Sequence, residues 1–147
     1  MVSILNEIIE IGGTTAFEKP LSSDELIACY LTGEQYLHCV LAEVNGTVSG
    51  FQSLTKHKKL AHDWADIATF ARVQPKTPGV GTALFNTTRA YALENKIVAI
   101  NATIRADNIG GLRYYSKMGF EQYSIASGIP LLDGTPVDRV SMKYKLT

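Results

Sequence analysis

The sequence predicts an α/β fold in one domain, and three observations carry that reading. Stretches with a helical apolar period alternate with short β-branched runs. An Asn45-Gly46 pair sits between two such runs, the strongest short-range hairpin signal. Two further helical patterns each begin directly after a strand, one behind a glycine-bearing loop and one behind an asparagine.

The elements follow in order. Residues 3–11 put Ile4, Leu5, Ile8 and Ile9 on one helical face, and Gly12, Gly13 and then Pro20 break the pattern. A second helix runs from Ser22 and Ser23 to about Leu31, with oxygen acceptors and the acids Asp24 and Glu25 in its first turn. Residues 36–44 and 48–54 are the hairpin strands. A basic loop, TKHKKLAHD, leads to a third strand over 64–73. Its alternation sets Asp66, Ala68, Phe70 and Arg72 on one face and Ile67, Thr69, Ala71 and Val73 on the other. Residues 80–94 read as a helix with Val80, Leu84, Thr88 and Tyr91 aligned. Residues 97–104 are the apolar run of a buried central strand. A helix over 108–118 ends at Gly119, and strands over 120–125 and 137–146 close the chain across the loop SGIPLLDGTP.

Composition narrows the function. The chain has 147 residues, 46% of them hydrophobic and 19% charged, enough for a buried core. Fourteen basic side chains balance fourteen acidic ones, so no global field attracts nucleic acid or an anionic membrane. No run approaches the roughly 18 apolar residues that span a bilayer. The first ten residues lack the basic start of a signal peptide, and the expected compartment is the cytoplasm. Cys29 and Cys39 lie in apolar segments without metal-type spacing and read as reduced core residues; no metal is expected.

The informative unit is WADIATFARVQPKTPGVGTALF, a strand, a glycine-bearing loop and a helix in immediate succession. The first amides of a helix have no partner within it, and the dipole adds partial positive charge, so such a junction suits phosphate or pyrophosphate. Gly79 and Gly81 leave the backbone open to close approach. A P-loop needs Lys after the second glycine, and none follows Gly81; a Rossmann fingerprint needs glycine where Leu84 stands. An ordinary tight turn before a helix fits this motif equally well. The second unit, NIGGLRYYSKMGF, follows the next strand, where Asn108 is a natural N-cap.

The two units together resemble the GCN5-related N-acetyltransferase (GNAT) superfamily. KTPGVGTAL is similar to its [Q/R]-x-x-G-x-[G/A] signature, with Lys76 in place of Gln or Arg and Pro78 supplying no amide. Residues 108–120 are similar to its N-x-x-x-x-x-x-Y-x-x-x-G-F segment. NEIIEIGGTTAFEKPLS and VLAEVNGTVSGFQSL further resemble the phosphinothricin-type branch. The resemblance spans most of the chain as a single domain, although the sequence opens on a helix where the family pattern has a strand.

The resemblance implies a mixed, mostly antiparallel sheet flanked by helices. It implies an enzyme passing an acetyl group from acetyl-CoA to a small, amino-acid-like amine, often as a homodimer. Backbone groups of Thr69, Phe70 and Ala71 would meet the pantetheine arm, and Asn108 would hydrogen-bond it. Lys76 and the amides of Thr77, Gly79, Val80, Gly81 and Thr82 would hold the pyrophosphate. Tyr115 would protonate the leaving thiolate, a role suited to a phenol with a reference pKa near 10.

The base that takes the amine's proton is open between Asp66, His62 and water; the branch has glutamate at the Asp66 position. His38 reads as a satisfied core histidine. Lys56, Lys58 and Lys59 fit either a substrate anion or a solvated loop, and Arg72 either an anion or the surface. Phe17, Tyr36 and Trp64 are candidate pocket walls. A protein N-acetyltransferase, a noncatalytic acyl-CoA-binding module and a nucleotide-binding module remain the alternatives.

Overall fold

The computed structural model describes residues 1–11, 17–72 and 78–146. Its elements run α1 (Val2–Ile11), α2 (Ser23–Tyr30), β1 (Tyr36–Val44), β2 (Thr47–Thr55), β3 (Trp64–Ala71), α3 (Val80–Glu94), β4 (Ala99–Arg105), α4 (Ile109–Met118), β5 (Glu121–Pro130) and β6 (Pro136–Lys145). The strands form one sheet in the order β1-β2-β3-β4-β6-β5. Every neighbouring pair is antiparallel except β3 with β4. This is the mixed, mostly antiparallel sheet flanked by helices that the resemblance implies.

Local chemistry sets the boundaries. Ser22 caps α2 through a reciprocal pair: its Oγ accepts the Glu25 amide at 3.1 Å, and the Glu25 carboxylate accepts the Ser22 amide at 3.3 Å. Asn45 and Gly46 both take positive φ, 52° and 78°, which is the geometry of a tight hairpin turn and joins Val44 to Thr47. Gly119 ends α4 at φ 105°. The final hairpin departs from expectation. Half of the segment expected to be a loop is strand, with Pro130 opposite Pro136 and residues 131–135 making the turn. Both prolines sit at strand ends, where a missing ladder donor costs little.

Two apolar clusters lie on opposite faces of the sheet. Phe51, Phe70 and Ala68 pack with Ile4, Leu5 and Ile9 of α1 and Leu26 and Tyr30 of α2. Leu54, Ile67, Ile100, Ala102 and Ile104 pack with Phe85 and Ala92 of α3 and Tyr115 of α4. The alternation read from β3 is therefore correct, and β2 is buried on both faces. Cys29 is exposed, and Cys39 only half-buried, so the expectation of two core cysteines fails for Cys29. It lies on α2, whose buried residues are Leu26 and Tyr30, so the core takes the other side of the helix. His38 is also not a satisfied core residue: it is half-buried, its ring stacks on Tyr91 at 4.2 Å, and its Nδ1 has no hydrogen-bond partner. Burial pushes its pKa below the usual histidine value.

Phe51 is fully buried and touches Tyr30 and Phe70 edge-on or tilted, at 5.9 and 4.9 Å between ring centroids. Phe51→Ala is expected to cost about 3–5 kcal/mol in a urea titration.

Candidate active site

The site exists because one strand pairing stops early. β3 and β4 share only the registers Trp64–Ala99, Ala65–Ile100 and Asp66–Asn101. Beyond them β3 stays paired with β2 as far as Ala71, and β4 stays paired with β6 as far as Arg105. Each strand is thus held by its outer neighbour while the two diverge, and their facing backbone groups border a V-shaped opening. A cleft of about 950 Å³ occupies it.

Along one wall run Asp66, Thr69, Phe70, Ala71 and Arg72 of β3 and the residue after it; Thr103, Ile104 and Arg105 of β4 form the other. The start of α3 closes one end through Pro78, Gly79, Val80, Gly81 and Thr82. Asn108, Tyr114 and Tyr115 enter from α4 and its cap. The structure thus gathers ten of the twelve expected site residues around one space. Lys76 and Thr77 lie outside the described residues.

The α3 entrance offers bare donors. Gly79 is its N-cap at φ 84°, and among the described residues no side chain caps the first turn. No acid stands there either, so the amides of Val80, Gly81 and Thr82 and the helix dipole are available to an anion. The two glycines serve different needs. Gly79 requires its positive φ, with nothing within 4 Å of the place a Cβ would take. Gly81 makes room for a protein ring: its Cβ would come within 2.6 Å of Tyr114 Cε1. Gly81 thus has a packing reason beside the expected approach of a ligand.

The vertex of the V is polar. Asn101, which is buried, donates from Nδ2 to Asp66 Oδ1 at 2.8 Å and to Thr103 Oγ1 at 3.1 Å. Its Oδ1 accepts from the Tyr123 hydroxyl. Burial raises the Asp66 pKa above the usual carboxylate value, opposed by the Asn101 hydrogen bond and the nearby His57. A carboxylate tuned this way is a stronger base than an exposed one. His62, the rival base, lies instead in a second cleft beside Trp64, Lys56 and Tyr91; the turn before β3 carries it there.

Tyr115 is 7% exposed, and its hydroxyl lies 2.8 Å from Thr69 Oγ1. Burial raises its pKa, so the phenol keeps its proton through the neutral range. Asn108 Oδ1 accepts the Gly111 amide at 2.9 Å and so caps α4, while the residue also lines the cleft. The Arg72 guanidinium donates to the Val48 carbonyl, at 3.1 Å from Nη2.

Of the expected walls, Phe17 lines the cleft, Trp64 lines the second cleft, and Tyr36 borders neither. Sequence reasoning missed Tyr30, His57, Asn101 and Tyr123. The register signals two of them: Asn101 pairs with Asp66, and His57 stands two residues beyond Thr55, the β2 residue paired with Asp66.

Comparison with known proteins decides the family. The model of the acetyltransferase (GNAT) domain matches residues 15–140. The chain belongs to the GNAT acetyltransferase family. The fold agrees with solved GNAT structures. An N-acetyltransferase from Staphylococcus aureus Mu50 superposes with a TM-score of 0.87 at 18% identity, over 99% of this chain and 90% of that one. The yncA protein of Salmonella typhimurium, solved with its cofactor acetyl-CoA, gives 0.84 at 16% identity, over 99% and 86%. A candidate phosphinothricin N-acetyltransferase gives 0.85 at 24% identity, over 100% and 91%. No curated protein matches the sequence. The acetyltransferase assignment therefore rests on the domain match and the shared fold.

The raised Asp66 pKa fixes a sign. The folded state binds its proton more tightly than the unfolded chain does. Stability is therefore lost as pH rises from about 3.9, the unfolded value, through the raised folded one. Asp66→Asn cannot ionise, so its Tm relative to the parent should climb between pH 4 and pH 7. A constant difference across that range would contradict the burial of this charge.

Proposed function

We propose that this acetyltransferase moves the acetyl group of acetyl-CoA onto a small, amino-acid-like amine by direct attack on the thioester. One observation carries the reading: the early end of β3–β4 pairing opens a single cleft, with uncapped amides at one end and a half-buried carboxylate at its vertex.

Each group has a task in this proposal. Amides of Gly79, Val80, Gly81 and Thr82 hold the pyrophosphate. Backbone groups of Thr69, Phe70 and Ala71 hold the pantetheine arm, and a strand amide stabilises the oxyanion. Asn108, whose Oδ1 accepts the Gly111 amide, borders the cleft and contributes to holding the arm. Asp66, directly or through one water, takes the proton of the attacking amine. Tyr115 gives its proton to the departing sulfur. No covalent enzyme intermediate is needed.

The wall near Asp66, where Phe17, Tyr30 and His57 leave an aromatic and polar pocket, supports a small polar acceptor. The phosphinothricin-type branch fits the sequence motifs and one of several structural relatives. A homodimer in the cytoplasm completes the proposal. β5 supports dimerisation: it is an edge strand with Tyr123 and Ile125 exposed, and Leu132 beyond it is 68% exposed.

A thiol-release assay with acetyl-CoA tests the reading against phosphinothricin, glutamine, polyamines and aminoglycosides. Turnover with an amino acid or phosphinothricin is expected. Acetylation of peptides alone, or coenzyme binding without thiol release, would redirect it. Tyr115→Phe should lower kcat by about 10²-fold or more with little change in coenzyme affinity. Sedimentation velocity should give the mass of two chains, and a monomer at micromolar concentration would remove the dimer.

A further inference from the structure

Gln52 is a polar side chain in an apolar place. It lies on β2, on the sheet face that also carries Leu54, and is fully buried. Its position directly across from Thr69 of β3 brings the amide to the cleft wall. Its Nε2 donates to Thr69 Oγ1 at 2.9 Å and to Tyr114 Oη at 3.1 Å. Tyr114 Oη donates in turn to the carbonyl of Gly81 at 2.7 Å. Thr69 Oγ1 is the atom that meets Tyr115 Oη.

Proton counting gives these bonds a direction. The single hydroxyl proton of Tyr114 is spent on the Gly81 carbonyl, so Tyr114 must accept from Gln52, and the amide nitrogen faces it. The second amide hydrogen occupies a lone pair of Thr69 Oγ1. Among the described residues Gln52 Oε1 has no hydrogen-bond partner, so the amide is held there by its nitrogen. With one lone pair filled, Thr69 Oγ1 keeps one proton and one lone pair for Tyr115 Oη; once Tyr115 has given up its proton, Thr69 can only donate.

We infer that Gln52 is a positioning residue that joins the proton donor to the coenzyme cradle. This rests on the acetyl-transfer reading above. As the amine nitrogen bonds to the acetyl carbon, the carbon–sulfur bond breaks and its electron pair leaves on sulfur. The Tyr115 proton moves to that sulfur, and the amine's surplus proton goes to Asp66 or its water. The phenolate left behind is buried, where an unpaired charge is costly. The Thr69 proton is its hydrogen-bond donor, and Gln52 keeps Thr69 in that orientation until water reprotonates the phenolate. Through Tyr114 the same amide braces the first turn of α3, where the Gly81 amide faces the cleft.

The test is a set of variants assayed by thiol release with the fastest amine of the panel. Gln52→Met keeps the volume and removes both donors. It should lower kcat about tenfold, a part of the roughly 10²–10⁴ that a general acid supplies, and raise KM for acetyl-CoA while leaving that of the amine in place. In a Tyr115→Phe background the same substitution should lower kcat no further. An equal loss of kcat in both backgrounds would overturn the proposal, because a purely structural defect ignores which donor is present. Thr69→Val should reproduce the kcat loss without the KM change, and Thr69→Ser should restore it. These two variants decide the matter if Gln52→Met does not fold, and a Thr69→Val enzyme with full turnover also overturns the proposal. If Tyr115→Phe itself turns over at the parent rate, the donor assignment fails first and the relay falls with it.

Discussion

The structure depends on a pairing that ends. Asp66 and Asn101 form the last register between the two parallel strands, and their side chains clasp the same point. Antiparallel partners hold both strands straight beyond it, so the sheet neither closes nor frays. Backbone donors and acceptors left without a strand normally carry a large desolvation cost. A protein that keeps them facing a cleft has a place for a ligand that supplies the missing partners.

That vertex also divides the chemistry. Alternation along β3 puts Asp66 on the face packed by α1 and α2, and Thr69 on the face packed by α3 and α4. The carboxylate and the phenol therefore approach the opening from opposite sides of the sheet. The strand itself separates the two titratable groups, and burial raises the pKa of each on its own side.

Much of this was legible in the sequence. Strands β1 and β3, the hairpin turn and the helix after Gly79 were marked by local rules of period, turn chemistry and capping. The α3 end of the cleft was legible because its parts are consecutive in the chain, and Tyr115 stands at a fixed offset from Gly119. The surroundings of Asp66 were not, since Tyr30 of α2, His57 of a loop, Asn101 of β4 and Tyr123 of β5 come from four separated segments that only the tertiary fold brings to it. Gln52 shows the limit well. A glutamine among strand residues reads as an outward position until β2 proves to be buried on both faces. At Gly81 the motif suggests ligand approach, and a neighbouring aromatic ring supplies a second, steric reason that no local pattern shows.

The two ends of the cleft are made of different material. At the α3 end the available groups are main-chain amides, which every residue but proline provides, so substitutions at Val80 or Thr82 leave the donors in place. At the Asp66 end the walls are side chains drawn from Phe17, Tyr30 and His57. A single codon change there reshapes that end of the cleft and leaves the amides at the other end untouched. On the proposed reading, such a scaffold acquires new acceptors one mutation at a time while its hold on the acetyl donor stays fixed.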